Sequence, residues 1–221
     1  MNGLYIHFPY CIHKCSYCDF YSIENLNSRN QFTEMLSKEI SLRTKELEEK
    51  PLINTIFIGG GTPSLMKPHH FNKIAQSIFD NFILADDYEW TIECNPGTID
   101  IKHLEEYRNN GVNRISFGVQ SFVKQELEFL ERIHSVEDIY KSVETARKIG
   151  FDNISVDLMF ALPVQSLESW KYSLLKAIEL DTEHISAYSL IYEEGTPLYQ
   201  KFLNGNVNKT EDDLDYEFYQ T

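Results

Sequence analysis

Three of the four cysteines, Cys11, Cys15 and Cys18, fall within eight residues, and the fourth, Cys94, stands alone. A reducing compartment disfavours disulfides, so thiols packed this closely read as thiolate ligands to a metal centre. Their spacing is Cys-x-x-x-Cys-x-x-Cys. Structural zinc completes a tetrahedron with four ligands and commonly uses paired Cys-x-x-Cys units. Three cysteines on one loop suit three corners of a four-iron cluster and leave one iron open to a small molecule. A structural zinc domain is the competing reading. His13 is available as a fourth ligand, although a loop histidine ordinarily faces solvent. Lys14 would lower a neighbouring thiol's pKa, and Cys94, at the end of an apolar run, fits a buried and inert thiol.

Other polar residues follow runs rich in Ile, Val, Phe and Tyr that read as strands: Leu4–Phe8, Ile53–Ile58, Tyr88–Glu93, Arg114–Val119, Ile154–Leu158 and His184–Leu190. The first leads into the cysteine loop, the second into Gly59-Gly60-Gly61-Thr62-Pro63 and the third into Glu93-Cys94-Asn95-Pro96. The fourth ends at Gln120-Ser121, the fifth carries Asp157, and the sixth carries Tyr188 and Ser189. In parallel α/β folds such strand ends converge on one rim, where function gathers; taken singly, each residue could equally be a turn or cap. The three glycines lack the Lys-Ser/Thr of a triphosphate loop and the spacing of a dinucleotide fingerprint. They would let a ligand approach the backbone, or simply make a tight turn.

Between the strands lie segments with apolar residues at helical spacing: Phe32, Met35, Leu36 and Ile40; Phe71, Ile74 and Ile78; Ile139, Val143 and Ala146. Gly111 and Gly150 are placed to stop helices, and Ser135-Val136-Glu137-Asp138 matches a capping box that starts one. Six strand–helix alternations predict an α/β fold, a partial (β/α)6 TIM-like barrel of parallel strands left open, with a flat doubly wound sheet as the alternative. A closed eight-stranded barrel would need about 250 residues. Residues 1–191 are expected to form this core. Residues 192–221, with two Lys against seven Asp or Glu and a helix-like end at Asp212–Tyr219, are expected to begin a further C-terminal region that is incomplete in this chain.

Twenty Lys and Arg against 34 Asp and Glu give a net charge of −14 in 221 residues, which disfavours non-specific nucleic-acid binding. No apolar run approaches the roughly 18 residues of a membrane span. The start, Met1-Asn2-Gly3-Leu4-Tyr5, lacks the features of a secretory signal, so a cytoplasmic location is expected.

Tyr5-Ile6-His7-Phe8-Pro9, followed by the cysteine loop with Tyr17, Asp19 and Phe20, resembles the start of a radical S-adenosylmethionine (SAM) protein. Gly60-Gly61-Thr62-Pro63-Ser64, Glu93-Cys94-Asn95-Pro96, the run Arg114–Phe122 and Ser186-Ala187-Tyr188 follow in the order of one subgroup, which contains the oxygen-independent coproporphyrinogen III dehydrogenases and related heme chaperones. The resemblance runs from residue 4 to about residue 198. It implies that Cys11, Cys15 and Cys18 hold a [4Fe–4S] cluster whose open iron chelates SAM, and that one-electron cleavage of SAM yields a 5′-deoxyadenosyl radical. It further implies that Gly60 meets the methionyl end of SAM and that Glu93 accepts hydrogen bonds from it as a carboxylate. Tyr5, Tyr17, Gly61, Thr62, Gln120, Arg132 and Asp157 match positions lining the SAM region, which includes a second SAM site in the dehydrogenase. Arg132 would clamp a carboxylate, the plain alternative being a helix-surface ion pair.

Within the subgroup, the dehydrogenase resembles Cys-x-x-x-Cys-x-x-Cys-x-Cys and begins with an extension. Here Phe20 occupies the last position and Tyr5 lies near the start, which favours the heme-chaperone branch, with the dehydrogenase as the alternative and no catalytic residue assigned. Heme or a porphyrinogen, a flavodoxin-type electron donor and a heme-accepting protein are the implied partners. The family's heme-contacting histidine motif is expected beyond the sixth strand. None of His7, His13, His69, His70, His103, His134 and His184 matches it, so heme binding is not expected of this chain alone. The family's glycines near Ala161 and Val164 are replaced, which predicts an altered loop after Asp157.

Overall fold

The computed structural model describes residues 2–221. Six strands, β1 (Gly3–Phe8), β2 (Leu52–Gly60), β3 (Ile83–Cys94), β4 (Arg114–Gln120), β5 (Ile154–Phe160) and β6 (His184–Ser189), pair in parallel and in sequence order. β1 and β6 form the two edges of one open sheet. A doubly wound sheet reverses its strand order part-way across. This one does not, so the partial barrel stands and the flat alternative falls. The helices are α1 (Arg29–Lys45), α2 (Pro68–Asn81), α3 (Ile101–Asn109), α4 (Lys124–Phe129), α5 (Val136–Ile149), α6 (Leu167–Glu179), α7 (Pro197–Leu203) and α8 (Asp212–Gln220).

The sheet has two unlike faces because its strands alternate. Ile56 and Ile58, Ile92, Ile115 and Phe117, and Ile154 and Val156 are almost completely buried, together with Phe71, Ile74 and Ile78 of α2, Leu104 and Tyr107 of α3 and Ile139 and Ala146 of α5. Each large side chain so buried contributes roughly 1.5–3 kcal/mol relative to exposure. On β4, β5 and β6 most intervening positions are polar, whereas β2 places Phe57 there. Ser116 lies opposite Ser155, Ser155 opposite His184 and Asp157 opposite Ser186, so these residues share the other face. In most parallel sheets helices bury both faces. Here the second face is left to line a cavity.

The local punctuation follows the chemistry of the sequence. Ser135 and Asp138 cap α5 reciprocally, and Gly150 ends it in the left-handed region at φ 95°. Met35, expected on the inner face of the first helix, is exposed; Ile40 is buried, and Phe32 and Leu36 pack against the core. Past Ile191, where the sequence pattern weakens, α7 and α8 return Leu198 and Phe218 to the interior, and the Trp170 indole N–H donates to the Phe218 carbonyl at 3.0 Å. Among the described residues no helix is long and apolar enough to cross a membrane.

Candidate functional site

Pro9 ends β1, and the chain then curls through the cysteine loop. The loop is held at its base by Ile23 N–H donating to Pro9 O (2.7 Å) and Cys11 N–H donating to Ile23 O (3.0 Å), and Cys18 N–H closes a turn onto Cys15 O (3.0 Å). All four cysteines are free thiols. Cys11 and Cys15 are buried, whereas Cys18 is partly exposed and lines a cavity of about 600 Å3 on the polar face of the sheet. Burial raises the Cys15 and Cys18 thiols above the ordinary range, with Cys18 acting on Cys15 and Cys11 on Cys18 in the same direction. Lys14 opposes this at Cys18, as its place in the sequence predicts.

Among the described residues, no three His, Cys, Asp or Glu side chains converge on a single-ion site. His13 sits between Glu24 (3.6 Å) and Glu131 (3.4 Å) and is partly exposed, the loop histidine of the plainer reading.

The glycines after β2 serve the chain itself. A Cβ on Gly61 would come within 2.8 Å of Tyr10 O and 2.9 Å of Cys11 Sγ, and one on Gly60, at φ 118°, within 2.8 Å of the His7 ring. Only glycine lets this turn lie against the cysteine loop. Thr62 then directs its hydroxyl to Cys11 Sγ (3.6 Å) and accepts from Asn95 Nδ2 (3.2 Å). Asn95 Oδ1 in turn accepts from Arg132 Nη2 at 2.7 Å, and the same nitrogen donates to Gly118 O at 2.9 Å.

Arg132 follows α4 and has none of the ion pairs of a helix-surface arginine, which corrects that alternative. Its Nε is buried and has no hydrogen-bond partner. Burial works against its charge, but Tyr17, Cys15 and Tyr188 outweigh that and hold the guanidinium above its ordinary value. A buried cation with an unused N–H suits an anionic group of a ligand.

Tyr17, Gly60, Gly61, Thr62, Glu93, Gln120, Arg132 and Asp157 all line the same cavity as Cys18. Burial lifts the Glu93 carboxyl to about 7 against the opposing bond from Gly60 N–H (3.1 Å), and the Asp157 charge adds to the rise. Burial also raises Asp157, opposed first by Ser116 Oγ, which donates to both carboxylate oxygens at 3.2 Å, and then by Arg114, His184 and Arg132. Gln120, at φ 67°, accepts from Tyr188 Oη at 2.6 Å. Burial pushes Tyr17 up to about 12.

Tyr5 lies at the edge of the site: it is 58% exposed, its ring stacks on Phe57, which lines the cavity, it bonds His7 Nδ1 (2.9 Å), and burial, with the Glu93 charge adding to it, raises its hydroxyl. Ala161, where the resemblance leads one to expect a glycine, stands at φ 59°, a conformation glycine prefers.

Sequence reasoning missed Arg114, Ser116, Ser155 and His184 as cavity residues. The signal was present as polar residues at every second position of β4, β5 and β6. It also missed Glu131, whose carboxylate accepts from Ser16 N–H (3.0 Å) and Lys201 Nζ (3.2 Å).

The profile of the Radical SAM superfamily matches residues 5–177. The chain is 39% identical to the heme chaperone HemW of Bacillus subtilis over 225 residues, covering 100% of this chain and 58% of that protein. It is 37% identical to the mitochondrial radical S-adenosyl methionine domain-containing protein 1 of Danio rerio, covering 99% and 49%. Among solved structures it superposes on the radical SAM enzyme HemN, the coproporphyrinogen III oxidase of Escherichia coli, with a TM-score of 0.88 at 27% identity, covering 99% of this chain and 50% of that one. The chain thus spans about half the length of the curated relatives it matches.

Proposed function

The chain belongs to the radical SAM superfamily, and from that premise we propose that it is the cluster- and SAM-binding part of a heme-trafficking protein similar to HemW. The observation that carries this reading is the shared cavity, in which the third thiol of the cysteine loop lies with Glu93, Arg132 and Asp157. Cys11, Cys15 and Cys18 would hold a [4Fe–4S] cluster; four free thiols with no disulfide, and the glycine turn moulded to Cys11, suit that group. When bound, the cluster and SAM together supply one-electron cleavage of a C–S bond, giving methionine and a 5′-deoxyadenosyl radical.

The chain's own residues orient the ligand. The Gly60–Gly61 segment lines the cavity beside the cysteine loop, its N–H groups given to Glu93 and Phe8 O, and would lie against the methionyl end of SAM, while Glu93 takes a cationic or hydrogen-bonding part of SAM. Arg132, already aimed by Asn95 and Gly118, takes a carboxylate. Heme is the carried ligand, delivered to an acceptor protein, with electrons from a flavodoxin-type donor and a cytoplasmic setting that suits free thiols. Residues 1–191 form the cofactor-binding core in this reading, with residues 192–221 as a separate C-terminal region.

Anaerobic reconstitution tests the reading. The chain should take up about four irons, lose them in Cys15→Ala, and bind SAM only when loaded; iron uptake unaffected by that substitution would overturn it. Coproporphyrinogen III dehydrogenation is a second reading, favoured by the superposition on HemN. Phe20, 70% exposed at the cavity mouth where the dehydrogenase motif has a cysteine, speaks against it. Vinyl products from coproporphyrinogen III with SAM and reductant would establish the dehydrogenase instead.

A further inference from the structure

Glu131 combines two features that rarely meet. Its backbone is left-handed, at φ 54°, where glycine is the usual occupant, and its side chain joins two parts of the molecule distant in sequence. One carboxylate oxygen accepts from the backbone N–H of Ser16, between the second and third cysteines, and lies 3.4 Å from His13 Nε2; the other accepts from Lys201 of α7. Its carbonyl oxygen accepts from the Cys15 thiol at 3.6 Å. The Ser16 peptide is held from its other side too, because the N–H of Leu198 in α7 donates to Ser16 O at 2.9 Å. An unfavoured backbone conformation retained where it aims a side chain at a functional loop is the pattern expected of a positioning role.

We propose that Glu131 is a positioning residue that fastens the cysteine loop to α7, so that the segment after the barrel sets the electrostatic surroundings of the cluster. This rests on the cluster reading above. The pair places a negative and a positive charge on opposite sides of one contact beside the loop, and net charge near a cluster is one of the quantities that sets its potential. Removing the negative partner makes reduction easier, and removing the positive partner makes it harder. Simple loosening of the loop would move both variants the same way.

The test uses the full chain, reconstituted anaerobically at low ionic strength so that screening leaves the exposed part of the pair visible. Glu131→Gln should raise the cluster's reduction potential and Lys201→Met should lower it, with iron content held near the wild-type value. Glu131→Gly, which suits the backbone and removes the carboxylate, should release iron to a chelator about ten times faster without lowering Tm. Shifts of the same sign in the two charge variants, or iron release from Glu131→Gly within twofold of wild type, would overturn the proposal. If the wild-type chain takes up no cluster, the cluster reading fails by itself. Amide exchange in the apo chain then decides on the clamp: exchange of Ser16 N–H accelerated about tenfold or more in Glu131→Gly supports it, and unchanged exchange refutes it.

Discussion

The backbone N–H of Gly60 donates to the Glu93 carboxylate at 3.1 Å, tying the end of β2 to the end of β3 where β3 turns an acid into the cavity. That single bond does not offset burial, which leaves the carboxyl near 7 against an ordinary 4.5. The folded state therefore favours the neutral acid. Its contribution to stability is complete below pH 4.5 and is lost as the pH rises through about 7. Glu93→Gln removes this dependence, so relative to wild type it should gain about 3 kcal/mol between pH 4 and pH 8 in denaturant melts. SAM affinity of the wild-type protein should rise with pH across the same window, because the ionised form is the stronger acceptor. A stability difference that is flat between pH 4 and 8 would show that Glu93 is not buried as described.

The cysteine loop, the glycine turn and Glu93 were legible in the sequence because each lies where a strand ends, and strand ends leave local marks. Ser135 and Gly150 were legible for the same reason, capping chemistry being confined to a few residues. The polar face was legible only in part. Arg114, Ser116, Ser155 and His184 alternate with apolar residues along β4, β5 and β6, a pattern the sequence carries, but it is the register across three strands that sets them on one wall. Tyr5 was matched by motif, and it sits on the edge strand with its ring stacked on Phe57 of the cavity wall. Glu131 left no mark because its partners, Ser16 and Lys201, are 115 and 70 residues away.

Arg132 reaches Asn95 and Gly118 through one guanidinium nitrogen and keeps its buried Nε unpartnered. Lysine would retain the charge and lose the planar fork. Arg132→Lys is expected to cost about 1–3 kcal/mol, from acceptors left poorly satisfied in the interior. SAM binding by calorimetry should weaken about tenfold or more, with iron content unchanged. Equal affinity in the two proteins would remove Arg132 from the ligand site.

Gly61 has less room than any side chain needs. Three atoms of the preceding loop, Tyr10 O, Cys11 Sγ and Pro9 C, lie within 3.0 Å of where a Cβ would stand, and two of them are backbone. They cannot rotate away, so Gly61→Ala must displace the cysteine loop. A loss of about 1–3 kcal/mol is expected. Iron uptake should fall further than this loss of folded protein explains, as judged by iron per folded chain. Full iron loading in Gly61→Ala would mean that the loop accommodates the cluster in more than one position.

Cys94 tests whether thiol chemistry here is a matter of place. It stands at the end of β3, where that strand meets the cavity, yet it is only 2% exposed, and burial, with the Glu93 charge adding to it, raises its thiol far above the usual range. The reactive species is the thiolate, so Cys94 should resist alkylation in the folded protein and react only on unfolding. Cys94→Ala should retain full iron content and lose about 1 kcal/mol for the small void it leaves. Cys18→Ala removes a partly exposed thiol that lines the cavity and should abolish cluster uptake while the apo fold persists, as circular dichroism can establish. Iron loss from Cys94→Ala comparable to that from Cys18→Ala would mean that the end of β3 takes part in holding the cluster, and the three-ligand assignment would be wrong.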